Sequence, residues 1–214
     1  MADRAYRGDT VVKEIVIHVE GGGDATSKSR LREGLTRFLN GPRLEALRRR
    51  VRLRVVPGGS RTDTFKEFEM ACKTRRSGAL VLLLVDSEGP VQGTPMEHLS
   101  AVDRWDLSLM SDDQLHLMVE VMEAWFVADP DSLSSFYGQD FAARSLPANP
   151  IVEAVRKADI LSALNRATRR TQKGEYHKTR HAFDLLARID PEKVRRRAPH
   201  CQRLFDTIHG YLAS

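Results

Sequence analysis

The run Ala79-Leu-Val-Leu-Leu-Leu-Val85 constrains the fold more than any other segment of the chain. It is apolar without alternation, and it is far shorter than the ~20 residues of a membrane span. A strand that is apolar on both faces must be covered on both faces, and helices packed over a parallel sheet supply that cover. Two further strand signals precede it. Lys13–Val19 alternates and breaks into Glu20-Gly21-Gly22-Gly23-Asp24, and Val51–Val56 closes in Pro57-Gly58-Gly59-Ser60. Helical patterns lie between them. Leu31, Leu35, Phe38 and Leu39 share one face after a cap at Ser27 or Ser29, and Phe65, Phe68 and Cys72 recur within Thr62–Thr74.

The resulting β-α-β-α-β order predicts an α/β fold with an open, mainly parallel sheet and helices on both faces. Residues 91–110 read as a polar connection holding His98, Asp103, Trp105 and Asp106, and Leu115–Val121 as a fourth strand. Trp125 and Phe126 read as core. Beyond Pro150 the pattern is helical, with Val152, Val155 and Leu161 marking one helix. Phe183, Leu186 and Ile189 mark another, and Leu204, Phe205, Ile208 and Leu212 a last. The expected organisation is an α/β domain over residues 1–130 and a basic helical extension over 131–214 packed on it as one unit.

Charge is divided along the chain. Residues 1–82 carry 18 basic and 10 acidic residues, 83–150 carry 2 and 12, and 151–214 carry 14 and 7. An acidic middle between basic flanks suits a cation site in a protein that also holds a polyanion. The two cysteines make neither a disulfide framework nor a zinc site. With no apolar leader in MADRAYRGDT, the expected setting is a reducing cytoplasm without membrane attachment.

Acidic residues stand just past two strand ends: Glu20 in Val-Glu-Gly, and Asp86 with Glu88 in Val-Asp-Ser-Glu. In open α/β sheets the functional crevice lies outside the carboxyl ends of the strands. Carboxylates gathered there repel unless a cation offsets them, and hard oxygen ligands select Mg²⁺ or Mn²⁺. Asp86 and Glu88 point the same way if the strand continues. Glu123, after the fourth strand, is a further candidate ligand. Asp129 lies about 600° of helical rotation away from it, and before Pro130 it reads as a cap. Arg61, in Pro57-Gly-Gly-Ser-Arg61, is placed either to meet a phosphate or merely to follow a turn capped by Thr62. The stretch Arg166–Arg180 sets Arg169, Arg170, Lys173 and Lys178 around Tyr176, a mixture suited to backbone contact and base stacking.

A strand ending in Glu-Gly followed by one ending in Asp-x-Asp/Glu resembles the Toprim fold of topoisomerases, primases and overcoming-lysogenization-defect nucleases. HVEGGGDA (18–25), LLLVDSEGP (82–90) and MEAWFVAD (122–129) are similar to small bacterial Toprim-like proteins encoded beside ABC/AAA-type ATPases in phage-defence loci. The similarity extends over PGGSRTDTF (57–65) and YHK (176–178). The resemblance implies acid/base or metal work for Glu20 and Mg²⁺ ligation by Asp86 and Glu88. Glu88 stands where the pattern has a second Asp.

The leading expectation is a Mg²⁺-dependent nuclease acting on DNA or RNA beside an ATPase partner, either alone or as a homo-oligomer. A topoisomerase would need a tyrosine placed for strand passage. Two other classes stay open. One is a nucleotide-binding enzyme, although no Gly-Lys-Ser/Thr loop is present. The other is a non-catalytic sensor or regulatory subunit of an ATPase complex.

Overall fold

The computed structural model describes residues 13–75 and 77–214. Strands β1 (Glu14–Glu20), β2 (Arg52–Gly59), β3 (Ala79–Asp86) and β4 (Leu115–Met118) form one sheet in the order β2-β1-β3-β4. Every pairing is parallel. The doubly apolar run is β3, with β1 on one side and β4 on the other. Its Leu82 and Leu84 enter one core while Val81, Leu83 and Val85 enter the other. The chain is thus an open parallel α/β fold with helices on both faces.

The first face carries α1 (Ala25–Phe38), α2 (Asn40–Arg48) and most of the second half of the chain. That half comprises α5 (Glu123–Val127), α6 (Pro130–Tyr137), α7 (Lys157–Thr168), α8 (Lys178–Leu186), α9 (Pro191–Arg197) and α10 (Pro199–Ala213). Ile15, Ile17 and Val19 of β1 share this core with Leu164, Leu186, Leu204 and Ile208, so the helical extension and the sheet pack as one unit. Trp125 stacks on Phe38 with ring centroids 5.0 Å apart, and both it and Phe126 are fully buried, as expected. The opposite face carries α3 (Arg61–Thr74) and α4 (Pro95–Asp103), whose Phe65, Phe68 and Leu99 close the second core.

Several boundaries differ from the sequence reading. Residues 91–110 are not wholly a connection, because α4 starts there on a reciprocal cap between Thr94 and Glu97 with Pro95 in its first turn. Asp24, rather than Ser27 or Ser29, caps α1: its carboxylate accepts from the Ser27 N–H at 2.8 Å. Ser60, two residues before Thr62, caps α3. β4 stops at Met118 instead of Val121, and the helix expected from Val152, Val155 and Leu161 starts only at Lys157. Asp129 caps α6, accepting from the Ser132 N–H, and also binds Lys193.

From β1 the chain runs out to β2 and then back across to β3, so strand order reverses between β1 and β3. The crevice of such a sheet opens at the carboxyl ends of those two strands, which here are Glu20 and Asp86. Among the described residues no helix is long and apolar enough to cross a membrane.

Candidate functional site

Glu20 ends β1 where the backbone turns into Gly21–Gly23. Gly22 has φ +78°, and a Cβ there would sit 2.8 Å from the Lys28 Cα, so only glycine fits. This loop is tied to the end of β2. The Gly21 N–H donates to the Gly59 carbonyl at 2.8 Å, the Gly59 N–H returns to Gly21 at 3.1 Å, and Lys28 Nζ donates to the Gly58 carbonyl at 3.0 Å.

The Glu20 carboxylate accepts from Arg61 Nη1 at 2.9 Å. The same guanidinium grips Asp103 with two bonds of 2.6 and 2.8 Å and reaches the Asp86 carbonyl at 2.5 Å. It lies over Trp105, which stacks on Phe65 at 4.1 Å. The expectation that Arg61 faces a phosphate is therefore corrected. Its side chain is 18% exposed and its donors are turned inward, because Glu20 and Asp103 need a counter-charge. Burial still raises the Glu20 pKa, against the pull of Arg61 and with the help of the Glu88 charge.

Asp86 ends β3 and is 6% exposed. Its Oδ1 accepts from the Met122 N–H at 2.9 Å, and its Oδ2 lies 4.0 Å from Lys178 Nζ. Burial lifts its pKa to about 7; Lys178 opposes the shift, while Glu123 and Glu20 add to it. Glu123, the first residue of α5, is 1% exposed. Its Oε1 accepts from the Tyr176 hydroxyl at 2.8 Å, and its Oε2 has no hydrogen-bond partner among the described residues.

Tyr176 is consequently no stacking platform. It is buried beside Phe126, with burial first and then Glu123 pushing its hydroxyl pKa up, and its oxygen donates to a carboxylate. Arg169, Arg170, Lys173 and Lys178 are exposed, with Lys173 lying over the Phe136 ring at 5.1 Å. Burial works against the Lys178 charge, but Glu123, Asp86, Glu20 and Glu88 outweigh it and raise its pKa.

The expectation for Glu88 changes as well. The strand ends at Asp86, and Glu88 adopts a left-handed backbone at φ +62°, so the two side chains do not follow the alternation of one strand. Glu88 instead pairs with Lys157 at the exposed rim. Its loop is held by the Ser87 N–H on the Met118 carbonyl and the Glu88 N–H on Glu120, both at 3.0 Å.

Glu20, Asp86, Met118, Met122, Lys178 and the glycine loop line a cavity of about 240 Å³. As the side chains lie, no three His, Cys, Asp or Glu among the described residues converge to hold an ion. Arg61, Lys157 and Tyr176 engage the carboxylates instead. Sequence reasoning missed Asp103 and Lys157 as partners here. Asp103 stands 42 residues from Arg61 and Lys157 stands 69 from Glu88, separations at which no local spacing couples them.

The Asp86 pKa of about 7 exceeds the ~3.9 of an unfolded aspartate. The folded state holds a proton that the unfolded chain releases between those values. The contribution therefore favours folding below about pH 4 and is lost as pH rises through 7. Asp86→Asn keeps the acceptor for Met122 and cannot ionise. In chelator, its melting temperature should exceed that of the wild type by several degrees at pH 8 and converge with it at pH 4. Equal temperatures at both pH values would show that Asp86 carries no such penalty.

The search of curated proteins and the search of solved structures each found no match to the chain. The family model described as a domain of unknown function, DUF4276, matches residues 19–209. That span contains every carboxylate of the cleft, the Arg61 clamp and the basic segment around Tyr176. The chain belongs to the DUF4276 family.

Proposed function

We propose that the chain is a divalent-metal-dependent phosphodiesterase acting on nucleic acid at the Glu20–Asp86–Glu123 cleft. One observation carries this reading: Glu123 Oε2 is a buried carboxylate oxygen with no partner among the described residues, close enough to Asp86 for its charge to raise the Asp86 pKa. A buried unpaired oxygen is costly and calls for a ligand. An all-oxygen donor set fits Mg²⁺ or Mn²⁺.

Asp86 and Glu123 would hold the ion, with the longer Glu88 side chain at the rim. When bound, such an ion supplies Lewis-acid polarisation of a phosphoryl oxygen and a water of lowered pKa. The chain does the rest. Arg61 binds Glu20 through one oxygen and leaves the other to take a proton, a role favoured by the raised Glu20 pKa. Lys178, exposed at the mouth, offers its charge to the phosphate. Arg169, Arg170 and Lys173 hold the strand beyond it. Work beside an ABC/AAA-type ATPase in anti-phage defence, in the cytoplasm, is part of the proposal and rests on the resemblance described above.

A second reading, a non-catalytic regulatory subunit of an ATPase complex, is favoured by the protein-borne partners that Glu20, Glu88 and Glu123 already have. Cleavage of end-labelled DNA and of transfer RNA separates the two. It should appear with Mn²⁺ or Mg²⁺, alone or with the ATPase, and vanish with chelator. Absence of cleavage in both settings favours the regulatory subunit. Replacing Arg169, Arg170 and Lys173 with Ala should weaken nucleic-acid binding at least tenfold. The log–log salt slope should become shallower by about 2–3, with cut positions unchanged. Unchanged affinity in that variant would remove this segment from the binding surface.

A further inference from the structure

A second concave site lies on the α3 face of the sheet, between that helix and the edge strand β2. It is a groove of about 470 Å³ and shares no lining residue with the carboxylate cleft. Strand alternation builds it. Glu14, Val16 and His18 of β1 stand in register with Arg52, Arg54 and Val56 of β2, and all six line the groove. Val16, Val56 and Val81 make an apolar floor.

His18 is the anomaly. Its side chain is 7% exposed, and neither ring nitrogen has a hydrogen-bond partner among the described residues. The nearest carboxylate oxygen, from Glu67, stands 3.9 Å from Nδ1, beyond hydrogen-bond reach. A neutral imidazole carries one donor and one acceptor. Buried groups of this kind are satisfied in folded proteins, so two orphaned nitrogens on a residue that lines a groove point to a ligand with both a polar acceptor and a polar donor.

The rim supplies charge. Glu14 engages Arg54 at 2.5 Å, whereas Arg52 and Arg75 are exposed and have no side-chain partner among the described residues. Two free guanidinium groups favour an anion, and phosphate above all. Inorganic phosphate would neither cover the valine floor nor fill the groove. A fatty acid would leave His18 unsatisfied. A nucleotide meets all three demands: its base has an apolar face and a donor–acceptor edge, and its phosphate matches arginine. His18 lies four residues along β1 from the level of Arg52, about 13 Å of strand rise. A nucleotide and an extended arginine side chain together span that distance.

We infer that this groove binds a nucleotide, with the base on the valine floor, its edge on His18 and its phosphate on Arg52 and Arg75. The nucleotide is either free or one unit of a nucleic-acid strand. The site stands apart from the proposed catalysis, and its failure would leave that proposal untouched.

The test follows the histidine ring resonances of the full-length ¹⁵N-labelled chain. It is titrated separately with adenosine monophosphate, inorganic phosphate and a six-nucleotide single strand. The resonance missing in His18→Gln identifies His18. A His18 shift with adenosine monophosphate identifies a free nucleotide as ligand, and a shift with the oligonucleotide alone identifies a strand. In Arg52→Ala/Arg75→Ala, whose surface positions keep the fold intact, affinity for the shifting probe should fall at least tenfold. The inference is overturned if neither nucleotide probe moves His18. It is equally overturned if inorganic phosphate reproduces the shift at the same affinity, or if the double arginine variant binds like the wild type.

Discussion

Asp86→Ala should lower divalent-dependent cleavage by about a thousandfold, a loss of roughly 4 kcal/mol of transition-state stabilisation. Asp86→Asn, which keeps the acceptor for the Met122 N–H, should lose cleavage likewise and melt no lower than the wild type in chelator. Asp86 is buried, its Oδ2 has only a distant lysine, and Glu20 and Glu123 press on it electrostatically. Neutralising it relieves a penalty in the folded state and removes the central anionic ligand of the proposed ion. Added Mn²⁺ should raise the wild-type melting temperature, because the ion binds the folded chain, and should leave Asp86→Ala unmoved. Single-turnover cleavage and calorimetry at pH 8 measure both halves. An Asp86→Asn variant that loses cleavage together with several degrees of stability in chelator would make Asp86 a structural residue.

Arg61→Ala should cost about 3 kcal/mol of unfolding free energy, near the lower end expected for breaking a buried ion pair. The guanidinium serves Glu20, Asp103 and the Asp86 carbonyl together, and its loss strands two largely buried carboxylates. For a chain of 214 residues this amounts to about 6–12 °C in melting temperature. Arg61→Lys should recover little of it, since an ammonium cannot reproduce the two-pronged grip on Asp103. Urea unfolding of Arg61→Ala, Glu20→Gln and the double variant measures the coupling, expected at 1 kcal/mol or more. Additive losses would mean that Arg61 and Glu20 do not depend on each other.

Legibility in the sequence followed the range of the interactions involved. The central strand showed itself in Leu80–Val85 because burial on both faces abolishes alternation. Glu20 and Asp86 could be placed because a strand signal ends at each, and the crevice of an open sheet lies past such ends. Glu123 was reachable from the strand before it. Arg61 was misread because its partners come from residues 20, 86 and 103, which only the folded sheet brings together. Tyr176 lies in a run of basic residues that reads as surface, yet the turn between α7 and α8, pinned by its N–H on Thr168, sets it onto Glu123. Glu88 looked like a strand neighbour of Asp86 because sequence shows no left-handed residue unless it is glycine. The Thr94–Glu97 cap of α4 was present in the letters, masked by the polar character of residues 91–110.

In the proposed function the cleft holds a divalent cation on Asp86 and Glu123. Titration of Mn²⁺ into the full chain at pH 8, followed by electron paramagnetic resonance of the free ion, tests it most directly. The wild type should take up Mn²⁺ saturably, and Asp86→Asn and Glu123→Gln should each bind it at least a hundredfold more weakly while remaining folded. Equal uptake by wild type and both variants, or no saturable uptake by the wild type with or without its ATPase partner, would contradict the claim.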